Sequence, residues 1–142
     1  MKPIHILLVE DNEGDILLTT DAFADYKTKT TVSVVKNGKL ALEYMFKKGE
    51  FQTAVRPDIV ILDINLPFKN GLEVLEIIKS DESMKFIPTI MFTTSSSKSD
   101  ILKAYANHAN AFITKPIDVA DFLNAILSIE IFWLNIIQLP NK

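Results

Sequence analysis

The feature that most restricts how this chain can fold is a series of short apolar runs, each cut off abruptly by polar residues. Ile4-His5-Ile6-Leu7-Leu8-Val9 stops at Glu10-Asp11-Asn12, and Ile59-Val60-Ile61-Leu62 stops at Asp63. Ile87 to Phe92 runs into Thr93-Thr94-Ser95, and Ala111-Phe112-Ile113 into Thr114-Lys115-Pro116. A fifth run, Thr31 to Val35, alternates more and is closed by Lys36-Asn37-Gly38. Such short, nearly continuous runs read as strands buried on both faces, as in a parallel sheet. Helix-length segments lie between them, over 14–26, 40–48, 72–79 and 100–107, and Asp118 after Pro116 opens a last one. Strand and helix alternating five times predict an α/β fold, a doubly wound five-stranded parallel sheet with helices on both faces. The longest loop is expected over 49–56, and one domain over residues 1–142, with a C-terminal extension over about 131–142 and no output domain.

Composition narrows the function. With 48% apolar and 23% charged residues among 142, the chain has the makings of a globular core. It contains no cysteine, which excludes disulfides, thiol catalysis and zinc–thiolate sites. The net charge is -3, the lysines are scattered and Arg56 is the only arginine, a poor match to a nucleic-acid binder. The N-terminal run meets Glu10-Asp11 too soon for a signal peptide. Ile126 to Leu139 is apolar at 10 of 14 positions, short of the roughly 20 residues needed to span a bilayer. The expectation is a cytoplasmic protein without membrane or nucleic-acid partners.

A five-unit sheet of this kind commonly has the flavodoxin-like order 2-1-3-4-5, with ligands bound where strands 1 and 3 meet at their carboxyl ends. That order brings Glu10, Asp11 and Asp63 together. Packed carboxylates repel one another unless a cation neutralises them, and oxygen-only ligands open to water suit Mg²⁺. Lys115 supplies a point charge from the far side, and Thr93 a hydroxyl. Phosphoryl transfer asks for positioning and charge neutralisation, which a metal, a lysine, a hydroxyl and an acceptor carboxylate provide.

The acidic pair in Leu8-Val9-Glu10-Asp11-Asn12, the segment Ile61-Leu62-Asp63-Ile64-Asn65-Leu66-Pro67 with Gly71 beyond it, Thr93 and Lys115-Pro116 together resemble the receiver domains of two-component response regulators. The resemblance covers nearly the whole chain. It implies that Asp63 accepts a phosphoryl group from a sensor histidine kinase. It also implies that Asp11, Asp63 and the backbone carbonyl of Asn65 hold Mg²⁺, with Glu10 helping mostly through water. Thr93 and Lys115 would contact the phosphoryl oxygens, the Lys115–Pro116 peptide would be cis, and Phe112 would be the switch aromatic that follows Thr93 inward. Such a protein is a signalling switch and no enzyme beyond its own phosphorylation and dephosphorylation. Glu10-Asp11-Asn12-Glu13-Gly14-Asp15, Thr93-Thr94-Ser95, Thr114-Lys115-Pro116 and the tail from Phe132 to Pro140 are similar to the stand-alone regulators paired with cyanobacterial and bacterial phytochrome kinases. Two departures stand out: Glu10 where Asp is commoner, and Phe112 where a tyrosine would bring a hydroxyl.

Other functions fit less well. A magnesium phosphohydrolase using an aspartyl-phosphate usually has a second Asp two residues on, where this chain has Asn65. A flavin carrier needs a glycine- and hydroxyl-rich phosphate loop after strand 1, where Glu10-Asp11 stand. Asp15 reads as a first-turn helix charge, and His5 and His108 as structural or solvated. The segment 126–139 is apolar almost all round and needs a second surface, for which the resemblance to the phytochrome-partner regulators implies a homodimer through the last helix and tail. The alternative is that the tail bends at Asn135 and covers its own domain. The downstream protein is not legible.

Overall fold

The computed structural model describes residues 3–140; residues 141 and 142 of the expected extension, and residues 1 and 2, lie outside it. Five strands, β1 (Ile4–Val9), β2 (Thr30–Val35), β3 (Ile59–Leu62), β4 (Thr89–Thr93) and β5 (Ala111–Thr114), alternate with helices. These are α1 (Glu13–Asp25), α2 (Gly38–Met45), α3 (Gly71–Ser80), α4 (Lys98–Ala106) and α5 (Val119–Ile129). All pairings are parallel and the order is β2-β1-β3-β4-β5. A short 3₁₀ turn, Gly49–Phe51, occupies the start of the expected loop, and a π-helical segment, Glu130–Ile136, prolongs α5.

Strand periodicity sorts the apolar side chains into two cores. Leu7, Val9, Val60, Leu62 and Met91 pack with Ala41, Leu75 and Ile78 on the α2–α3–α4 side. Ile6, Leu8, Ile59, Ile61, Ile90 and Phe92 pack with Phe23, Phe122, Ile126 and Ile129 on the α1–α5 side. Both faces being covered explains why the runs are apolar throughout rather than alternating. β2 lies at an edge, and its more alternating sequence reflects that place.

Each long helix begins on a side-chain cap: Asn12, Asn37, Asn70, Ser97 and Asp118 accept the backbone N–H three residues on. Asn70 and Glu73 complete a reciprocal capping box at α3. His108 follows α4 at φ 68, the left-handed position that ends a helix, so its role is structural. His5 is likewise structural, half-buried and hydrogen-bonded with Ser33 Oγ at 3.0 Å and Tyr44 OH at 2.9 Å. Burial holds its imidazole below the ordinary range against the opposing charge of Asp58.

The tail bends back. Asn135 is hydrogen-bonded with Tyr26 OH and accepts from Thr28 Oγ1 at 2.8 Å, Ile137 is extended, and Leu139 packs against the α1–α5 core. Leu134 is buried, yet Leu127, Ile131, Phe132 and Ile136 remain exposed, so the bend covers only part of the apolar surplus. By length and composition the stretch Val119–Ile136 is apolar enough to cross a membrane, and Phe122, Ile126, Ile129 and Leu134 are its buried side.

Candidate functional site

The carboxyl ends of the strands carry the chemistry, and the sheet itself sets its geometry. The ladder continues one residue past three strands: Glu10 N–H donates to Val35 O (3.0 Å), Asp63 N–H to Val9 O (3.1 Å) and Lys115 N–H to Thr93 O (2.6 Å). Each site residue therefore starts from a backbone fixed by the sheet, where the chain first turns away from it. Gly71 fixes Asp63 from the other side. Its N–H donates to Ile64 O at 2.8 Å, and a Cβ there would lie 2.0 Å from the backbone oxygen of Asp63. Only glycine lets α3 begin so close to the loop.

Glu10, Asp11 and Asp63 converge as the strand order predicted. Each offers a carboxylate oxygen within 4.8 Å of the others; Glu10 and Asp63 are buried, Asp11 exposed. An all-oxygen, carboxylate-rich set with one side open to water fits a hard divalent cation. The Lys115 ammonium, buried with them, is paired with Glu10 Oε1 and lies 3.1 Å from Asp63 Oδ2 and 2.9 Å from Asp15 Oδ2. Burial opposes its charge, but the bonds it donates to Glu10 and Asp15 and the charge of Asp63 outweigh that and raise its pKa. Glu10 is pushed up to about 7, first by burial and further by the charge of Asp63, against the pull of Lys115. Four carboxylates gather around one ammonium, which is bonded to three of them, an electrostatic deficit that a divalent cation would fill.

The remaining expected residues are placed around this cluster. Asn65 is exposed, its N–H donating to Asp63 Oδ1 at 3.3 Å and its amide to Thr94 Oγ1 at 3.5 Å. Thr93 is fully buried at the end of β4, its Oγ1 accepting from Ser95 N–H at 3.3 Å. Phe112 pairs with Met91 across β4–β5, is half-buried against the α2–α3–α4 core, and its N–H donates to Tyr105 OH at 3.1 Å. Two expectations are corrected. The Lys115–Pro116 peptide is trans, since no described peptide is cis; the two X–Pro isomers differ little in energy, and Lys115 reaches its carboxylates from the trans backbone. Asp15 is no mere first-turn charge, because its carboxylate turns inward to a lysine 100 residues away. The available signal was its place one turn after Asp11, on the helix that starts at the site.

Residues 6–127 match the family described as response regulator receiver domain. Response regulator Rcp1 from Synechocystis sp. is 34% identical over 138 residues, which cover 97% of this chain and 94% of that protein. The crystal structure of the phosphorylated cyanobacterial phytochrome response regulator RcpA superposes with a TM-score of 0.96 at 40% identity, covering 99% of this chain and all of that one. The Mn²⁺-bound form of Rcp1 superposes equally well, TM-score 0.96, at 34% identity over 98% of this chain and all of that one. The chain belongs to the response regulator receiver domains, proteins of phosphorylation-dependent signalling.

Proposed function

We propose that Asp63 is the phosphoacceptor of this regulator and that a phytochrome-type histidine kinase is its donor. The observation that carries the assignment is the convergence on Asp63 of an acidic cation pocket and a buried ammonium. The pocket is formed with Glu10 and Asp11; the ammonium is that of Lys115. A nucleophilic Asp63 oxygen attacks phosphorus, the donor's bond to phosphorus breaks, and an acyl phosphate results. Lys115 neutralises phosphoryl oxygens, and the Thr93 hydroxyl, one strand over, donates to one of them. Asp11, Asp63 and the Asn65 carbonyl are the residues to hold Mg²⁺, with Glu10 beside them; the ion would neutralise the phosphoryl oxygens in the transfer. Phe112 pairs with Met91, two residues before Thr93 on the same face of β4, and reports the switch by packing alone, since it lacks a hydroxyl. The chain catalyses only its own phosphorylation and dephosphorylation, in the cytoplasm.

Output is through protein contacts, including a homodimer. The support is an exposed stripe at helical spacing, Val119, Leu123, Leu127 and Ile131, with Phe132 beside it. The donor assignment is supported by the likeness to Rcp1 and RcpA. Phosphotransfer from a panel of purified, radiolabelled histidine kinases tests it. Preferential labelling by a phytochrome-type kinase is expected, and equal or no labelling by it contradicts that choice.

A further inference from the structure

We propose that Asp15 is a positioning residue, which anchors the Lys115 ammonium while Asp63 changes from carboxylate to acyl phosphate. The inference rests on the reading of Asp63 as phosphoacceptor. Two carboxylate sets overlap at this site. Glu10, Asp11 and Asp63 form the cation pocket, and Glu10, Asp15 and Asp63 are the acceptors of Lys115. Glu10 and Asp63 belong to both; Asp15 serves the lysine alone.

The ammonium has three N–H donors and three carboxylate acceptors, so it is fully satisfied at rest. Phosphorylation removes one of them. A P–O bond forms at an Asp63 oxygen, the donor's bond to phosphorus breaks, and Asp63 ceases to be a carboxylate. A cation in the pocket draws on Glu10 as well. Asp15 is then the acceptor whose attachment to Lys115 neither event disturbs. Its own placement is firm, because its N–H is held by Asn12 Oδ1 at 2.9 Å in the first turn of α1. Its side chain is 25% exposed, against 4% for Glu10 and 7% for Asp63. It therefore holds the ammonium from the rim, and a lysine chain freed of it can pivot away from the phosphoryl position.

The test compares the parent with Asp15→Ala, Asp15→Asn and Asp15→Glu, all checked for equal folding by circular dichroism. Three readouts are taken: the Lys115 ammonium signal by ¹⁵N NMR in Mg²⁺-saturated protein, Mg²⁺ affinity by calorimetry, and labelling rate with acetyl phosphate. In Asp15→Ala the ammonium signal should be lost to exchange and labelling should slow about tenfold, the scale of one charge-assisted bond, with Mg²⁺ affinity within about twofold. Asp15→Glu should recover more than Asp15→Asn. A persistent ammonium signal with parental labelling in Asp15→Ala overturns the proposal, as does a loss of Mg²⁺ affinity that matches the loss of rate. A parent that acetyl phosphate does not label on Asp63 overturns the phosphoacceptor reading instead, whatever Asp15 does.

Discussion

Lys115 Nζ lies 3.1 Å from Asp63 Oδ2, both side chains buried, with β4 between the strands that deliver them. The pair also includes Glu10, so removing the lysine leaves two buried carboxylates without a counter-charge. Lys115→Met should cost about 3 kcal/mol of metal-free stability at neutral pH, and Mg²⁺ should restore more of it than it adds to the parent. Urea titrations with and without Mg²⁺ read both values; an unchanged midpoint in metal-free buffer would show the pair to be energetically idle.

Gly71→Ala forces a Cβ against the backbone of Asp63 and Ile64, at 2.0 Å from an oxygen and 2.8 Å from Ile64 Cα. Backbone cannot rotate away as a side-chain tip can, so the loop carrying Asp63 must shift. A loss of about 2–3 kcal/mol is expected, with labelling of Asp63 slowed more than stability alone explains. Thermal unfolding and acetyl phosphate labelling below the unfolding range separate the two effects.

Glu130 is a buried carboxyl whose Oε2 has no hydrogen-bond partner among the described residues, at the start of the π-helical turn. Burial pushes its pKa up to about 7 from 4.5. The folded state thus holds a proton that the unfolded chain releases. This contribution is complete below pH 4.5 and is lost as the pH rises to about 7. Glu130→Gln should stabilise the protein by about 2 kcal/mol at pH 8 and little at pH 4.5. Chemical denaturation at both pH values measures it, and an equal effect at the two would contradict the assignment.

The exposed stripe on α5 predicts self-association. Leu127→Glu with Ile131→Glu should convert a dimer to monomer without unfolding the domain, because neither side chain is buried. Asn135→Ala, which removes the bonds to Tyr26 and Thr28, should loosen the tail and change the dimer constant less. Sedimentation at several concentrations decides; a parent monomeric at high micromolar concentration contradicts the homodimer.

The fold and the acidic pocket were legible because both follow from local pattern. Apolar runs give buried strands, and their abrupt ends give Glu10, Asp11, Asp63, Thr93 and Lys115 one edge of the sheet. The convergence on Asp63 needed only the strand order. What the sequence left open depends on side-chain direction. Asp15 sits in a first turn where an acidic residue ordinarily answers the helix dipole, and its place one turn after Asp11 is too slight a hint to say that it turns to Lys115 instead. The X–Pro isomer is equally silent, since the two forms differ by less than tertiary context supplies. The tail mixed both outcomes: Asn135 finds Tyr26 and Thr28, partners more than a hundred residues away, while Leu127 and Ile131 stay outside.

Asp63 as the phosphoacceptor is the centre of this account, and intact mass tests it most directly. Parent and Asp63→Asn are incubated with Mg²⁺ and acetyl phosphate, then with EDTA in place of Mg²⁺. The amide keeps the shape of the carboxylate but lacks its charge and nucleophilic oxygen, so the fold should survive. The parent should gain the mass of one phosphoryl group with Mg²⁺ and lose most of that gain with EDTA, and Asp63→Asn should gain none. Labelling of Asp63→Asn to the extent of the parent would contradict the account.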